Sequence, residues 1–235
     1  MGDKYIVTAA HCLYRLLPGS PPTWQLMTPS EVKVRVGDTT LDEEFEATSF
    51  TIEVANFKHH PDYSSTDSTD QNDIAVLELA VPVSLTEYPN IKPACLPEAG
   101  ALFHGEAIVT GWGTVASGSH KTAHLNEAKL TVFADGDCGI MDLRMTEDMI
   151  CAGLKQGGKG TCQGDSGGPL VAADPARNNS MSLIGVVSNS AHCAESDYLG
   201  IYAEVSHFVD WLMEQMPDLN TCPAPAEGWN NRRAN

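Results

Sequence analysis

Residues 158–170 read GKGTCQGDSGGPL, and this stretch decides how the rest of the chain is read. It holds one serine, Ser166, set between an acid, Asp165, and the glycines Gly167 and Gly168, with Pro169 beyond. A serine hydroxyl is a weak nucleophile. To attack a carbonyl it needs a base to take its proton and donors to hold the oxyanion that forms. Backbone N–H groups act as donors only where no side chain blocks the approach, and glycine leaves that space. A Gly-rich turn taken alone is usually just a turn, so the reading depends on what surrounds it.

Two segments upstream bear on it. TAAHC places His11 after the apolar run YIVTAA, and DIAVLEL begins with Asp73. The chain order His11, Asp73, Ser166 is one of the orders in which a nucleophile–base–orienter triad recurs. The other histidines, His59, His60 and His192 among them, are read as ordinary surface or core residues.

Around these segments the sequence is built of short strand-like runs. EVKVRVG, DIAVLEL, EAIVTGW, AKLTVFA and MSLIGVVS are separated by Gly, Pro, Asn and Ser clusters. That pattern predicts an all-β sandwich or barrel. One helix is expected, SHFVDWLMEQM, capped by Ser206, with Phe208, Val209, Leu212, Met213 and Met216 on one face. LLPGSPPTWQLMTPS and DYSSTDSTDQND are expected as loops. Residues 217–235, rich in Pro and polar groups, are expected as a loose tail.

Composition narrows the function classes. The chain has 235 residues, with 14 Lys+Arg against 31 Asp+Glu, a net charge of −17. Nucleic acid and anionic membrane surfaces select basic patches, so neither is expected as a partner. No run of about 18 apolar residues suggests a membrane span. The seven cysteines are scattered, with no CxxC, which favours a disulfide framework in an oxidising compartment over a zinc site. An odd count leaves one thiol over. Asn178-Asn179-Ser180 is a glycosylation acceptor pattern if the chain is secreted, though chance gives such patterns as readily.

TAAHC, NDIAVLEL, TGWG, MICAG and CQGDSGGPL, in that order, resemble the trypsin/chymotrypsin-type serine proteases. The resemblance runs from Tyr5 to Met216. It implies two antiparallel six-stranded β-barrels, the first incomplete here, with the site in the cleft between them and a C-terminal helix. The N-terminal barrel would take residues 1–100, the C-terminal barrel 101–205 and the helix 206–216. Together these make a protease domain over 1–216, followed by the tail.

Roles follow from the same resemblance. His11 would be general base and then acid, Asp73 would orient it, and Ser166 would attack the carbonyl. The N–H groups of Gly164 and Ser166 would form the oxyanion hole. Asp165 would be the acid that pairs with a newly freed N-terminus on activation. Ser188 would lie near Asp73 on the substrate-binding strand. The primary substrate pocket would have Gly160 as floor, Thr161 beside it, and Ser190 and Gly200 as walls. Trypsin-like members carry aspartate at the floor. Glycine there disfavours Arg and Lys and implies chymotrypsin-like cleavage after Leu, Phe, Tyr or Met, with elastase-like cleavage as the second choice and broad selectivity in either case. Asn189 stands where most members have tryptophan, which implies a wider second subsite. The long segment after His11 either narrows the cleft on the leaving-group side or is inert.

Cys138–Cys151 and Cys162–Cys193 match common family pairs. Cys12 and Cys95 usually pair outside this stretch, and Cys95 with Cys222 is an open alternative. The acidic run GDTTLDEEFE lies where some members bind calcium, but its acids do not align with the ligand positions. No metal or cofactor is expected. The expected partners are polypeptide substrates, protein protease inhibitors and an activating protease. The family domain begins well upstream of TAAHC, and MGDKYIVTAAHC has no basic-then-apolar leader. The chain is therefore expected to be an N-terminally truncated part of a secreted zymogen.

Overall fold

Period-two alternation of apolar residues builds most of this molecule. The computed structural model describes residues 1–41, 49–66, 69–115, 120–133, 137–139, 145–189, 193–219 and 222. The strands in the first part are β1 (Tyr5–Thr8), β2 (Tyr14–Leu17), β3 (Thr23–Leu26), β4 (Lys33–Val36), β5 (Phe50–His59), β6 (Ser64–Ser65), β7 (Asp70–Gln71) and β8 (Ala75–Leu79). Then come β9 (Gly105–Gly111), β10 (Asn126–Phe133), β11 (Met149–Gly153), β12 (Pro169–Asp174), β13 (Ser180–Asn189) and β14 (Gly200–Glu204), followed by helix α1 (Val205–Gln215).

The second half is a closed antiparallel barrel, in the order β10-β11-β14-β13-β12-β9. Its interior is filled by alternate residues of successive strands: Ala107 and Val109, Leu130 and Val132, Ile150 and Ala152, Leu170 and Ala172. Closure leaves this sheet no free edge. The first half is a four-stranded sheet, β1-β8-β5-β4. It buries Leu13, Val54, Ala75 and Leu77 in one cluster and Ile52, Leu79 and Val83 in another. One closed barrel, one open sheet and a C-terminal helix match the expected chymotrypsin-like, all-β architecture with an incomplete first barrel.

Helix α1 joins the halves. Phe208, Leu212 and Met216 are fully buried against Tyr5, Ile74 and Val76 of the first half and Leu183, Val186 and Ala203 of the second. The helix therefore fixes how the two sheets sit relative to each other. It differs from expectation in two ways. Its N-cap is Glu204, not Ser206, which is buried in the first turn and donates its hydroxyl to Glu204 Oε1 at 3.0 Å. The packed face is Val205, Phe208 and Leu212 with Met216 just past the last turn, whereas Met213 is 46% exposed.

Three further differences have local causes. The run FTIEVANFKH was not among the strands expected, yet it forms β5, the longest strand of the first sheet. Its register shifts between Val54 and Asn56, and that bulge breaks the alternation that sequence patterns rely on. The segment expected as a Pro/Ser-rich loop contains a hairpin, β2 with β3, in which Tyr14 faces Leu26 and Leu16 faces Trp24. The prolines cluster in the turn between the strands, where no ladder hydrogen bonds are lost. In the other expected loop, β6 pairs with β7.

Disulfides join Cys138 to Cys151, Cys162 to Cys193 and Cys95 to Cys222, while Cys12 is free. The alternative left open for Cys95 is the one observed. Asn178 is exposed in the turn before β13. Half of the acidic run at residues 37–46, and most of the tail, lie outside the described residues.

Candidate active site

The site is assembled from both halves. His11 follows β1 in a short 3-10 turn, and Asp73 sits just ahead of β8, the strand that pairs with β1. Pairing of neighbouring strands thus brings together residues 62 positions apart. Asp73 is almost wholly buried, at 1% exposure, and its carboxylate accepts three hydrogen bonds. Its Oδ1 takes the backbone N–H of His11 at 2.8 Å. Its Oδ2 takes the His11 ring at Nδ1, 2.7 Å away, and the Ser188 hydroxyl at 2.6 Å. A buried carboxylate is stable only when it is bonded in this way.

With Nδ1 bonded to Asp73, the other ring nitrogen, Nε2, is the one left to gain or lose a proton. Burial alone would lower the His11 pKa, but the hydrogen bond to Asp73, helped by a contact with Cys12, carries it up to about 10. The nearest sulfur, Cys12 Sγ, lies 3.6 Å from Nε2.

Ser166 comes from the second half, in the loop that leads into β12. It is exposed, and it lines the same cleft as His11, a cavity of about 600 Å³. Among the described residues no hydrogen bond joins Ser166 to His11; such contacts are often loose before a substrate is bound.

The loop is held from both sides. Gly167 has φ +75°, and a Cβ there would lie 2.3 Å from Thr8 Oγ1 and 3.0 Å from Cys12 Sγ. The Thr8 hydroxyl donates to the Gly167 carbonyl at 3.3 Å, and the Gly167 N–H donates to Val187 at 2.8 Å. Only a glycine lets the end of β1 press this closely on the serine loop. Gly164 also has positive φ, +99°, a conformation that side chains resist.

Asp165 points away from the cleft. Its Oδ1 accepts from the Gly113 N–H at 2.8 Å and its Oδ2 from the Cys162 N–H at 2.9 Å. A cavity of about 280 Å³ opens beside it, lined among others by Gly111, Gly113, Gly160 and Cys193.

The residues expected around the primary pocket are only partly brought together. Gly200 sits against Thr161 and Tyr202, where a Cβ would lie 3.0 Å from Thr161 Oγ1. Gly160 packs near Ala194 and faces the cavity beside Asp165. Ser188 is committed to Asp73. Ser190 and His192 lie outside the described residues.

Sequence reasoning missed other lining residues. Tyr14, Trp24 and Tyr63 share the cleft with His11 and Ser166. None belongs to a motif, and only the length of the segment after His11 hinted at them. His59 packs beside Tyr14 and Tyr63, and His60 packs against Phe208 and Trp211. Both are packing residues, as read from the sequence.

The family model described as Trypsin matches residues 1–212. The chain belongs to the trypsin family. Among curated relatives, Trypsin-1 from Astacus astacus is 37% identical over 216 residues, covering 89% of this chain and 83% of that protein. A trypsin from Phaedon cochleariae is 36% identical, covering 92% of this chain and 76% of its own length. The proclotting enzyme of Tachypleus tridentatus is 33% identical, and this trypsin-family chain spans 56% of it. The family fold accounts for the serine loop meeting the end of β1 across the junction of the two halves.

Proposed function

We propose that this trypsin-like serine protease is an endopeptidase in which Ser166, His11 and Asp73 form the catalytic triad. The observation that carries the reading is a buried Asp73 bonded to His11, with an exposed Ser166 in the same cleft. In the reaction, His11 in its neutral form takes the Ser166 proton at Nε2 as Oγ attacks the peptide carbonyl. The imidazolium formed is stabilised by Asp73, and then delivers its proton to the leaving amine. The acyl group on Ser166 is released by water, with His11 again the base. Gly164 and Ser166 offer N–H groups for the oxyanion, and among the described residues neither donates to another acceptor.

Asp165 is the acid that would receive an N-terminus on activation, and the cavity beside it fits that role. Gly160, Thr161, Ser190 and Gly200 would shape an uncharged primary pocket that takes an apolar residue. Three disulfides suit an oxidising, extracellular setting. Polypeptides would be the substrates, with an activating protease and protein inhibitors as further partners.

The test is a fluorophosphonate probe, with the adduct located by mass spectrometry. Ser166 is expected to be labelled, and Ser166→Ala to lose labelling and roughly 10⁶-fold in peptide turnover. A Ser166→Ala chain that hydrolyses peptides near the normal rate would sink the mechanism.

A further inference from the structure

The turn ahead of Asp73 is gripped from the other half of the molecule. Asn72 has φ +52°, a left-handed conformation that most side chains resist and asparagine tolerates. Such a residue keeps its conformation only where its surroundings hold it. Here its side-chain amide donates to the Asp62 carbonyl at 3.1 Å, and its own carbonyl accepts the Ile74 N–H at 2.9 Å. Both bonds stay within the first half. Its N–H does not: it donates to Asp148 Oδ2 at 2.5 Å, 76 positions on, just ahead of β11 in the closed barrel.

Asp148 is itself fixed. It is 6% exposed, and the Thr146 hydroxyl donates to its Oδ1 at 2.5 Å. Its backbone carbonyl accepts the N–H of Glu204, the N-cap of α1, at 2.8 Å. Among the described residues no cation pairs with it. A carboxylate is costly to bury without a cation, but the bond it accepts from an N–H is stronger than one to a neutral oxygen. The barrel does not need that charge, because β11 pairs with β10 and β14 through its own backbone. The charge stands where it meets the residue next to Asp73. Asp73 in turn bonds the His11 N–H and ring. A polar chain thus runs from the start of α1 and β11 through Asp148, Asn72 and Asp73 to His11.

We infer that Asp148 is a positioning residue for the proposed triad: by holding the Asn72 N–H it sets the turn that aims the Asp73 carboxylate at His11. It is not among the residues that line the cleft of His11 and Ser166, so it acts through Asn72 and Asp73. The inference rests on the triad reading above. It gives the two buried carboxylates different parts. Asp73 meets the ring, and Asp148 meets the backbone that carries Asp73, from the half that carries Ser166. Its loss therefore reaches the aim of the base and leaves substrate binding alone.

The test uses the full chain, fluorophosphonate labelling of Ser166, and kcat and KM on one peptide that the parent chain cleaves. Asp148→Ala is expected to lower kcat about 100-fold while KM stays within about twofold, as a misaimed group does. Asp148→Asn keeps an acceptor for the Asn72 N–H and a partner for Thr146, and should restore most of the rate. Placed on Asp73→Asn, Asp148→Ala should cost little more, because the residue it acts through is already disabled. A folded Asp148→Ala chain at the parent rate overturns the inference. So does a loss that Asp148→Asn fails to recover, a rise in KM that accounts for the effect, or a full second loss on Asp73→Asn. If Asp148→Ala does not fold, Thr146→Ala, which frees only Oδ1, decides the matter: a fall in kcat at unchanged KM supports the inference, and no fall overturns it. None of these outcomes touches the triad reading. An Asp73→Asn chain at the parent rate, or a folded parent chain whose Ser166 does not label, overturns both readings together.

Discussion

The two halves of this molecule differ in how well they are closed. The second half is a complete barrel, and two disulfides, Cys138–Cys151 and Cys162–Cys193, lie within it. The first half is an open four-stranded sheet with no disulfide within it: Cys12 is free, and Cys95 is tied to Cys222 beyond the helix. Yet the open half carries His11 and Asp73, whereas the closed half carries Ser166. The difference teaches that the proposed base is positioned by borrowed order. Its sheet is held by the packing of α1 and by the contact of Gly167 with Thr8, both supplied by the other half.

The largest expected effect tests the bond between Asp73 and the His11 ring on which the proposed triad depends. Asp73→Asn should lower kcat about 10⁴-fold by misorienting His11, the size of effect that this triad template shows. Circular dichroism should stay near that of the parent chain. A variant that keeps its rate would mean that Asp73 orients nothing.

Next is the packing that joins the halves. Phe208→Ala removes a fully buried ring between the two sheets and should cost about 3–5 kcal/mol in denaturant unfolding. Hydrogen exchange should rise in β1, β5 and β8 well before β9 to β14. If both halves open together, the contrast drawn here is wrong. A smaller effect is expected within the closed half. Replacing Cys138 and Cys151 by serine opens a loop of 13 residues and should cost about 3 kcal/mol in the chain-entropy picture. Exchange in β1, β5 and β8 should barely respond.

The last expected effect is in pH. His11 has its pKa raised to about 10, above the ordinary value of 6.5, so the folded state holds a proton that the unfolded chain has released. The stability this gives is complete below about 6.5 and falls as pH rises from there toward 10. Urea midpoints measured across that window should decline, and Asp73→Asn should flatten the decline. An increase with pH in the parent chain would reverse the sign argued here.

Much of the fold is legible in the residues, and the reason is physical. In the barrel EAIVTGW, AKLTVFA and MSLIGVVS were readable as strands, whereas β11, β12 and β14 were not among those expected, and β11 is buried along its whole length with no alternation to read. FTIEVANFKH was not readable either, because a bulge shifts its register at Val54 and Asn56. The hairpin at Tyr14–Leu26 was hidden by its prolines, which occupy the turn. The candidates Asp73, His11 and Ser166 could be named because each sits in a motif that resembles the family's. Trp24 and Tyr63 could not, since a wall of a cleft is made by tertiary approach and leaves no spacing rule. Ser206 was misread as a cap because its type suits that role, but β14 runs directly into α1 and places Glu204 there instead.

The placement of the cross-links bears on how such a protein would survive its own products. Cys95–Cys222 spans nearly all of the second half and the helix. A single cut anywhere between those two residues leaves the pieces covalently joined, and they would run as one band until a reductant is added. A cut between Asp73 and Cys95 frees a fragment bearing both His11 and Asp73 that only non-covalent contacts retain. Self-digestion in the closed half would therefore be tolerated, while one nick in the open half could disarm the molecule.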